Sequence, residues 1–286
     1  MKVGAIIQAR TSSTRFPQKV LKYLPYDSNI TVLEQVIYRL KNSKKIDKII
    51  VATTKESDDI KIVDVAKKLN VPFFRGSTEN VLERYYLAAK QNDLDIVVRI
   101  TSDCPCIDPE IVDLIIETHL KKNSDYTSNT LNRTFPVGLD VEVINFKALK
   151  KCFDNVKNFS EKEHVTLYVH NNLDQFKTEN VCINGPSISQ IRITLDTEED
   201  YALLCSIFDY LYQKNQFFNL NDIINLFDTK PWLCLINKKI IAKKSFNNFE
   251  DECEEALRIL ELQELNNVKD YLEKVINNNI NQDFTS

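Results

Sequence analysis

Short apolar runs alternate with amphipathic helical stretches through the first 122 residues, and that alternation restricts the chain to a parallel sheet wrapped by helices. Apolar, β-branched runs at 3–8, 48–53, 71–74 and 96–101 read as strands. A period near 3.6 marks helices at 31–42, 58–69, 80–91 and 109–121. The expected fold class is therefore α/β, with a Rossmann-like, doubly wound and mostly parallel sheet. After residue 124 the rhythm loosens. Shorter strands are expected at 126–129, 141–144, 176–182 and 191–195, with helices near 146–153 and 161–171. An amphipathic helix follows at 198–213, then a shorter one at 220–227 ended by Pro231. From about Lys239 the composition turns charged and Asn-rich, and helices are expected at 250–264 and 268–276. The expected division is a main domain over 1–238, with a small-strand arm at about 124–195, and a helical C-terminal extension over 239–286.

A chain of 286 residues can bury a large core. Its net charge is −4 and its pI about 5.6, with no basic block, so no nucleic acid is expected as a partner. No apolar run approaches the roughly 18 residues of a membrane span, so no membrane is expected either. Met1-Lys2 leads directly into a strand, without a signal-peptide pattern. The seven cysteines are scattered, without C-x-x-C pairs or zinc-ligand spacing, and read as reduced thiols in a cytoplasm. Glycine occurs only four times, which argues against a G-x-G-x-x-G dinucleotide loop or a Walker loop.

The first strand runs into Gln8-Ala9-Arg10-Thr11-Ser12-Ser13-Thr14-Arg15-Phe16-Pro17-Gln18-Lys19. Four small hydroxyl residues are framed there by Arg10, Arg15 and Lys19. A polar loop between the first strand and first helix of an α/β sheet can turn its backbone N–H groups toward an anion, and three cations can neutralise it. The pattern outlines a nucleoside triphosphate site.

Two acids stand at later strand ends. Asp103 follows the 96–101 strand, where open α/β sheets bind ligands and where a Mg²⁺ travelling with a triphosphate would sit. It fits the cap of a turn equally well. Asp108, before Pro109, reads as a helix cap. Asp196 ends the 191–195 run, and either it or Thr197 could cap the helix that follows. Asp140 and Glu142 alternate with apolar neighbours on one strand face, which either lines a cleft or meets solvent. Glu161 and His164 fall three apart in a helical stretch, on one face. His119 and His170 read as surface or helix-end residues. Trp232 reads as packing the last core segment, with base stacking as its other reading.

Six segments in order resemble the cytidylyltransferase superfamily, the group of enzymes making CMP-activated acylneuraminates and CMP-3-deoxy-manno-octulosonate. They are the first loop, Arg75-Gly76-Ser77 with 80–86, Asp103-Cys104-Pro105, 136–142, 160–166 and 192–200. The chain is most similar to the spore coat polysaccharide biosynthesis protein F branch, over roughly residues 3–236. The resemblance implies a sheet of the nucleotide-diphospho-sugar transferase type, transfer of a cytidylyl group from CTP to a small sugar or sugar acid, and a homodimer. It implies that Gln8, Ala9, Arg10, Thr11, Ser12, Arg15, Lys19, Arg75, Gly76 and Asp103 hold the nucleotide. Arg10, Arg15, Lys19 and Asp103 would be catalytic, and Asp103 and Asp196 would hold Mg²⁺. Gly138, Asp140, Glu142, Glu161 and His164 would face the acceptor. Two positions depart from the pattern: Gln18 stands where glycine is usual before the lysine, and Asn80 where an acid is common.

Other functions remain open at this level. A sugar-1-phosphate uridylyl- or guanylyltransferase would share the first loop. A metal-dependent glycosyltransferase would want D-x-D after the fourth strand, whereas Asp103 and Asp108 are separated by four residues. A non-catalytic nucleotide-binding scaffold would not need both acids and all three loop cations.

Overall fold

The computed structural model describes residues 1–240 and 249–283. The chain divides into two compact units, Met1–Ile240 and Ile241–Ser286. The first holds a seven-stranded sheet in the order β3-β2-β1-β4-β6-β5-β7. Its parallel half comprises β1 (Val3–Gln8), β2 (Lys48–Thr54), β3 (Phe73–Gly76) and β4 (Ile96–Thr101). The intervening helices are α1 (Val32–Leu40), α2 (Ile60–Lys68) and α3 (Val81–Gln91), and α4 (Pro109–Lys122) follows β4. Beyond β4, β6 (Glu142–Asn145) pairs antiparallel with both β4 and β5 (Tyr126–Ser128), and β7 (Thr178–Asn180) closes that end parallel to β5. The expected doubly wound, mostly parallel sheet is present.

β1 lies between β2 and β4 and is covered on both faces, which explains its unbroken apolar run. Ala5 and Ile7 join one core cluster with α1 and α4, while Ile6 joins the other with α3 and α5 (Phe146–Asn155), as the two-residue period of a strand requires. Connections from β1 run to β2 and β3 on one side, and β4 lies on the other. The carboxyl ends of β1 and β4 therefore flank the point where the strand order reverses, which is where open α/β sheets leave a crevice.

Helix starts follow local chemistry. Thr31 and Glu34 form a capping box on α1, and Asn80 caps α3 through the Glu83 amide. Asp108 caps α4, with Pro109 in the first turn. Thr197, not Asp196, caps α8 (Glu198–Leu211), paired with Asp200.

Four sequence expectations change. The helix expected over 161–171 is broken into α6 (Phe159–Glu163) and α7 (Leu167–His170), because Val165 and Thr166 turn inward and are buried. The 191–195 run is extended but joins no strand of the sheet; it bonds to a turn and a loop instead. His119 is a buried residue, 1% exposed, between the Thr127 hydroxyl and the Asn145 amide oxygen, both 3.0 Å away. Trp232 is 48% exposed, and its neighbour Leu233 is the residue that enters the core.

α9 (Leu220–Thr229) is the last α-helix of the first unit, followed by a short 3-10 helix over Pro231–Leu235. The second unit contains α10 (Phe249–Leu262) and α11 (Asn266–Asp283), which contact one another. Residues 241–248 and 284–286 of the expected helical extension lie outside the described residues. No described helix is long and apolar enough to cross a membrane.

Candidate functional site

The loop after β1 is pinned at both ends. The Thr11 amide and hydroxyl both donate to Asp59 Oδ1 at 2.7 Å, and the Thr54 hydroxyl at the end of β2 donates to Asp59 Oδ2 at 2.5 Å. Burial alone would push the Asp59 carboxyl up, but these hydrogen bonds outweigh it and hold the group below the usual carboxylate range. At the far end the Gln18 amide donates to the Thr11 carbonyl at 2.9 Å. Gln18 itself has φ 55°, in the left-handed region where glycine costs least. A single helical turn, Lys19–Leu21, follows at once and directs Lys19 back across the loop.

Lys19 Nζ lies 2.7 Å from Asp103 Oδ2 and 2.7 Å from Asp196 Oδ1. Asp196 Oδ2 also accepts from Arg192 at 2.8 Å and pairs with Arg15 at 3.2 Å. Burial would raise the Asp196 carboxyl, but Lys19, then Arg192 and Arg15, hold it near 2. Burial likewise opposes the Lys19 charge, and the two carboxylates overcome it and raise its pKa. Arg192 is fixed in turn by buried Asp200, at 3.0 and 2.9 Å. Asp103 and Asp196 offer hard carboxylate oxygens of the kind Mg²⁺ accepts. Among the described residues no three His, Cys, Asp or Glu side chains gather around a metal position. The pair fits a cation that draws its other ligands from phosphate and water.

A second buried network lies on β4 and β6. Arg99 and Glu142, opposite one another in the ladder, form an ion pair. Glu142 Oε1 also accepts from Tyr126 at 2.5 Å and from Thr166 at 2.6 Å. Burial would push the Glu142 carboxyl up, yet the Arg99 charge and these hydroxyls hold it near 2. His170 Nε2 lies 3.0 Å from the Tyr126 hydroxyl, and burial lowers its pKa. Arg99 reaches toward the Gln8 amide oxygen at 3.4 Å, which joins this network to the end of β1.

The remaining expected site residues divide. Ala9 is buried with its amide on the Ala52 carbonyl, and Ser12 is exposed on the loop. Arg10 is exposed and lies 3.6 Å from Glu163. Arg75 is occupied with the Thr54 and Glu56 carbonyls at 2.9 and 3.0 Å, and buried Gly76 follows it. Asp140 pairs with Arg133 rather than lying in a strand. Gly138 has φ 110°, and its α-carbon packs so closely on the Ile193–Thr194 backbone that a Cβ would lie 2.7 Å from the Ile193 carbonyl. Glu161 is buried, accepting from the Lys157 amide and the Asn171 side chain. His164 is exposed at the end of α6 with φ −101° and ψ 57°, so the expected shared helical face with Glu161 is absent. Its carbonyl instead receives the Leu167 amide and begins the next turn.

Sequence reasoning gave no role to Asp59, Arg99, Tyr126, Thr166 and Arg192, and read His170 only as a surface or helix-end residue. Only Arg99 and Arg192 carried a local signal, each being a charge set within an apolar run next to a candidate acid.

A family model described as Cytidylyltransferase matches residues 4–280, reaching past the segment that carries the motifs. The chain is 36% identical over 219 residues to the spore coat polysaccharide biosynthesis protein SpsF of Bacillus subtilis, covering 73% of this chain and 85% of that protein. It is 37% identical over 123 residues to a 3-deoxy-manno-octulosonate cytidylyltransferase of Trichlorobacter lovleyi, covering 42% of this chain and 46% of that protein. A solved cytidylyltransferase from Leptospira borgpetersenii matches with a TM-score of 0.78 and 36% identity, over 85% of this chain and 100% of that one.

Proposed function

The chain belongs to the cytidylyltransferase family, and from that premise we propose that it activates a sugar or sugar acid with CTP for a surface polysaccharide or glycan. An acceptor oxygen bonds to the α-phosphorus, the bond from that phosphorus to the β-phosphate oxygen breaks, and pyrophosphate leaves with the electron pair. The acceptor hydroxyl loses its proton to water. The observation that carries this reading is the meeting of Lys19, Arg15, Asp103 and Asp196 at the strand-order reversal.

The protein's work is alignment and charge stabilisation. Arg10, Arg15 and Lys19 hold the phosphates and stabilise the departing pyrophosphate. Gln8, Ala9, Thr11, Ser12, Arg75 and Gly76 shape the nucleotide side, where Thr11 and Arg75 act by bracing backbone. Asp103 and Asp196 would hold Mg²⁺, which when bound would neutralise phosphate charge. Gly138, Asp140, Glu142, Glu161 and His164 form the acceptor side. Arg99 and Tyr126 keep Glu142 ionised and oriented there.

The enzyme works as a homodimer in the cytoplasm. Strand β7 is a terminal strand of the sheet, a position from which two sheets can pair, and the cysteines are free thiols, Cys182 and Cys234 exposed.

The test is a pyrophosphate-release assay with each of the four nucleoside triphosphates against a panel of keto-sugar acids and sugar phosphates. Turnover with CTP and one acceptor is expected. Preference for UTP or GTP would replace the base assignment, and CTP binding without turnover on any acceptor would reduce the protein to a nucleotide-binding scaffold.

A further inference from the structure

We infer that Lys19 keeps the Asp103–Asp196 pair closed to a free divalent cation, so that the cation enters only together with a triphosphate that draws the lysine away. This rests on the nucleotide site proposed above and adds to it an order of binding.

The geometry is specific. The Lys19 ammonium sits 2.7 Å from one oxygen of each carboxylate, so it occupies the space between the two acids. Its side chain is only 12% exposed, so the contact is a built feature of the crevice. The other Asp196 oxygen is no alternative entry, because Arg192 and Arg15 both hold it. Arg192 cannot easily turn away, since Asp200, fully buried, binds it through two contacts.

Charge balance points the same way. Lys19, Arg15 and Arg192 face Asp103, Asp196 and Asp200, three cations against three carboxylates. Adding a divalent cation alone would leave two uncompensated positive charges in a half-buried crevice, which is costly. A triphosphate reverses that balance. Its oxygens offer Lys19 and Arg15 new anionic partners, and the flexible four-carbon stem of Lys19 lets its ammonium swing to them. The vacated carboxylate oxygens then face a cation whose charge the nucleotide balances. Linkage requires that nucleotide and cation raise one another's affinity by the same factor.

The probe is Mn²⁺, followed by the electron paramagnetic resonance signal of the free ion and by thermal melting. Without nucleotide, the wild-type protein is expected to bind Mn²⁺ weakly. A non-hydrolysable CTP analogue should tighten that binding about tenfold or more. Lys19→Met should bind Mn²⁺ without nucleotide about tenfold more tightly than wild type, and Mn²⁺ should raise its melting temperature by mass action. Lys19→Met combined with Asp103→Asn should lose the gained site. Equal Mn²⁺ affinity of wild type and Lys19→Met without nucleotide would overturn the inference. So would wild-type affinity that is unchanged by the analogue while the analogue binds. If the analogue does not bind at all, the nucleotide reading fails, and the nucleotide-free comparison still decides the role of Lys19. If Lys19→Met does not fold, the wild-type titrations decide it.

Discussion

The backbone amide of Leu195 donates to the carbonyl of Asp103 at 2.8 Å, and this contact ties the segment carrying Asp196 to the loop carrying Asp103. The Thr194 hydroxyl donates to the same carbonyl at 3.2 Å. Across the segment, the Ile193 amide donates to the Val137 carbonyl at 2.8 Å. The segment is thus laced between the loop after β4 and the turn at Gly138. Thr197 and Asp200 satisfy the start of α8, which leaves the Asp196 carboxylate to Lys19, Arg192 and Arg15.

Gly138 is where that lacing is most exposed to mutation. Its φ of 110° disfavours any side chain, and a Cβ would lie 2.7–2.8 Å from the Ile193 and Thr194 backbone, which has no flexible end to move aside. Gly138→Ala is expected to cost about 2–3 kcal/mol, read by urea denaturation, and to displace Asp196 enough to abolish pyrophosphate release. An unchanged denaturation midpoint would show that the turn relaxes freely.

Asp103→Ala separates chemistry from folding. Lys19 would keep its contact with Asp196, so the substitution strands no buried cation. The expected outcome is a native melting temperature with pyrophosphate release down by about 10²–10³ or more. Near-normal turnover would remove Asp103 from the catalytic assignment.

Glu142 and Asp196 make the fold acid-sensitive. Both carboxyls titrate near 2 in the folded protein, below their ordinary values of 4.5 and 3.8. A depressed folded pKa contributes stability that is complete above the unfolded value and is lost as pH falls through the folded one. Stability should therefore decline between about pH 5 and 2, with Glu142 accounting for about 3 kcal/mol at most. Glu142→Gln should flatten part of that decline. At pH 7 it should cost about 3–5 kcal/mol, because Arg99 loses its charged partner. Urea titrations of both proteins across this range test the point, and parallel curves would contradict it.

Gln18 occupies a left-handed conformation that an L-residue adopts at a cost of about 1 kcal/mol. Gln18→Gly relieves that cost but frees the unfolded chain by a similar amount, so stability and nucleotide affinity should stay within about 1 kcal/mol of wild type. Gln18→Val, β-branched in the same conformation, should destabilise the loop by about 1–2 kcal/mol and weaken CTP binding. Calorimetry with CTP compares the two, and equal affinities would show that the loop re-forms around any residue.

Much of the parallel half was legible because its signals are local. The unbroken apolar runs of β1 and β4, the cap at Asp108, and the polar loop after Gln8 are each contained within a few neighbouring residues. The break at His164 was not legible, because helical spacing continues through it. What interrupts the helix is the burial of Val165 and Thr166, and Thr166 bonds to Glu142 from a distant strand. His119 and Trp232 misled for a related reason: side-chain type sets an average burial, and the neighbours set the actual one.

The sequence by itself determined the alternation of strand and helix, hence a doubly wound, mostly parallel sheet, and a cationic loop at the end of the first strand. Periodicity and capping are enforced within one or two turns of chain, so they can be read there. Only the tertiary structure decided that Lys19 reaches Asp196, 177 positions away, and that Arg99, Arg192 and Asp59 brace the groups around them. The contacts of Lys19 and Arg192 with Asp196 depend on a non-periodic segment whose hydrogen bonds go to Val137 and Asp103. Packing of the whole domain chose those partners, and nothing in the local pattern of 191–195 encodes them.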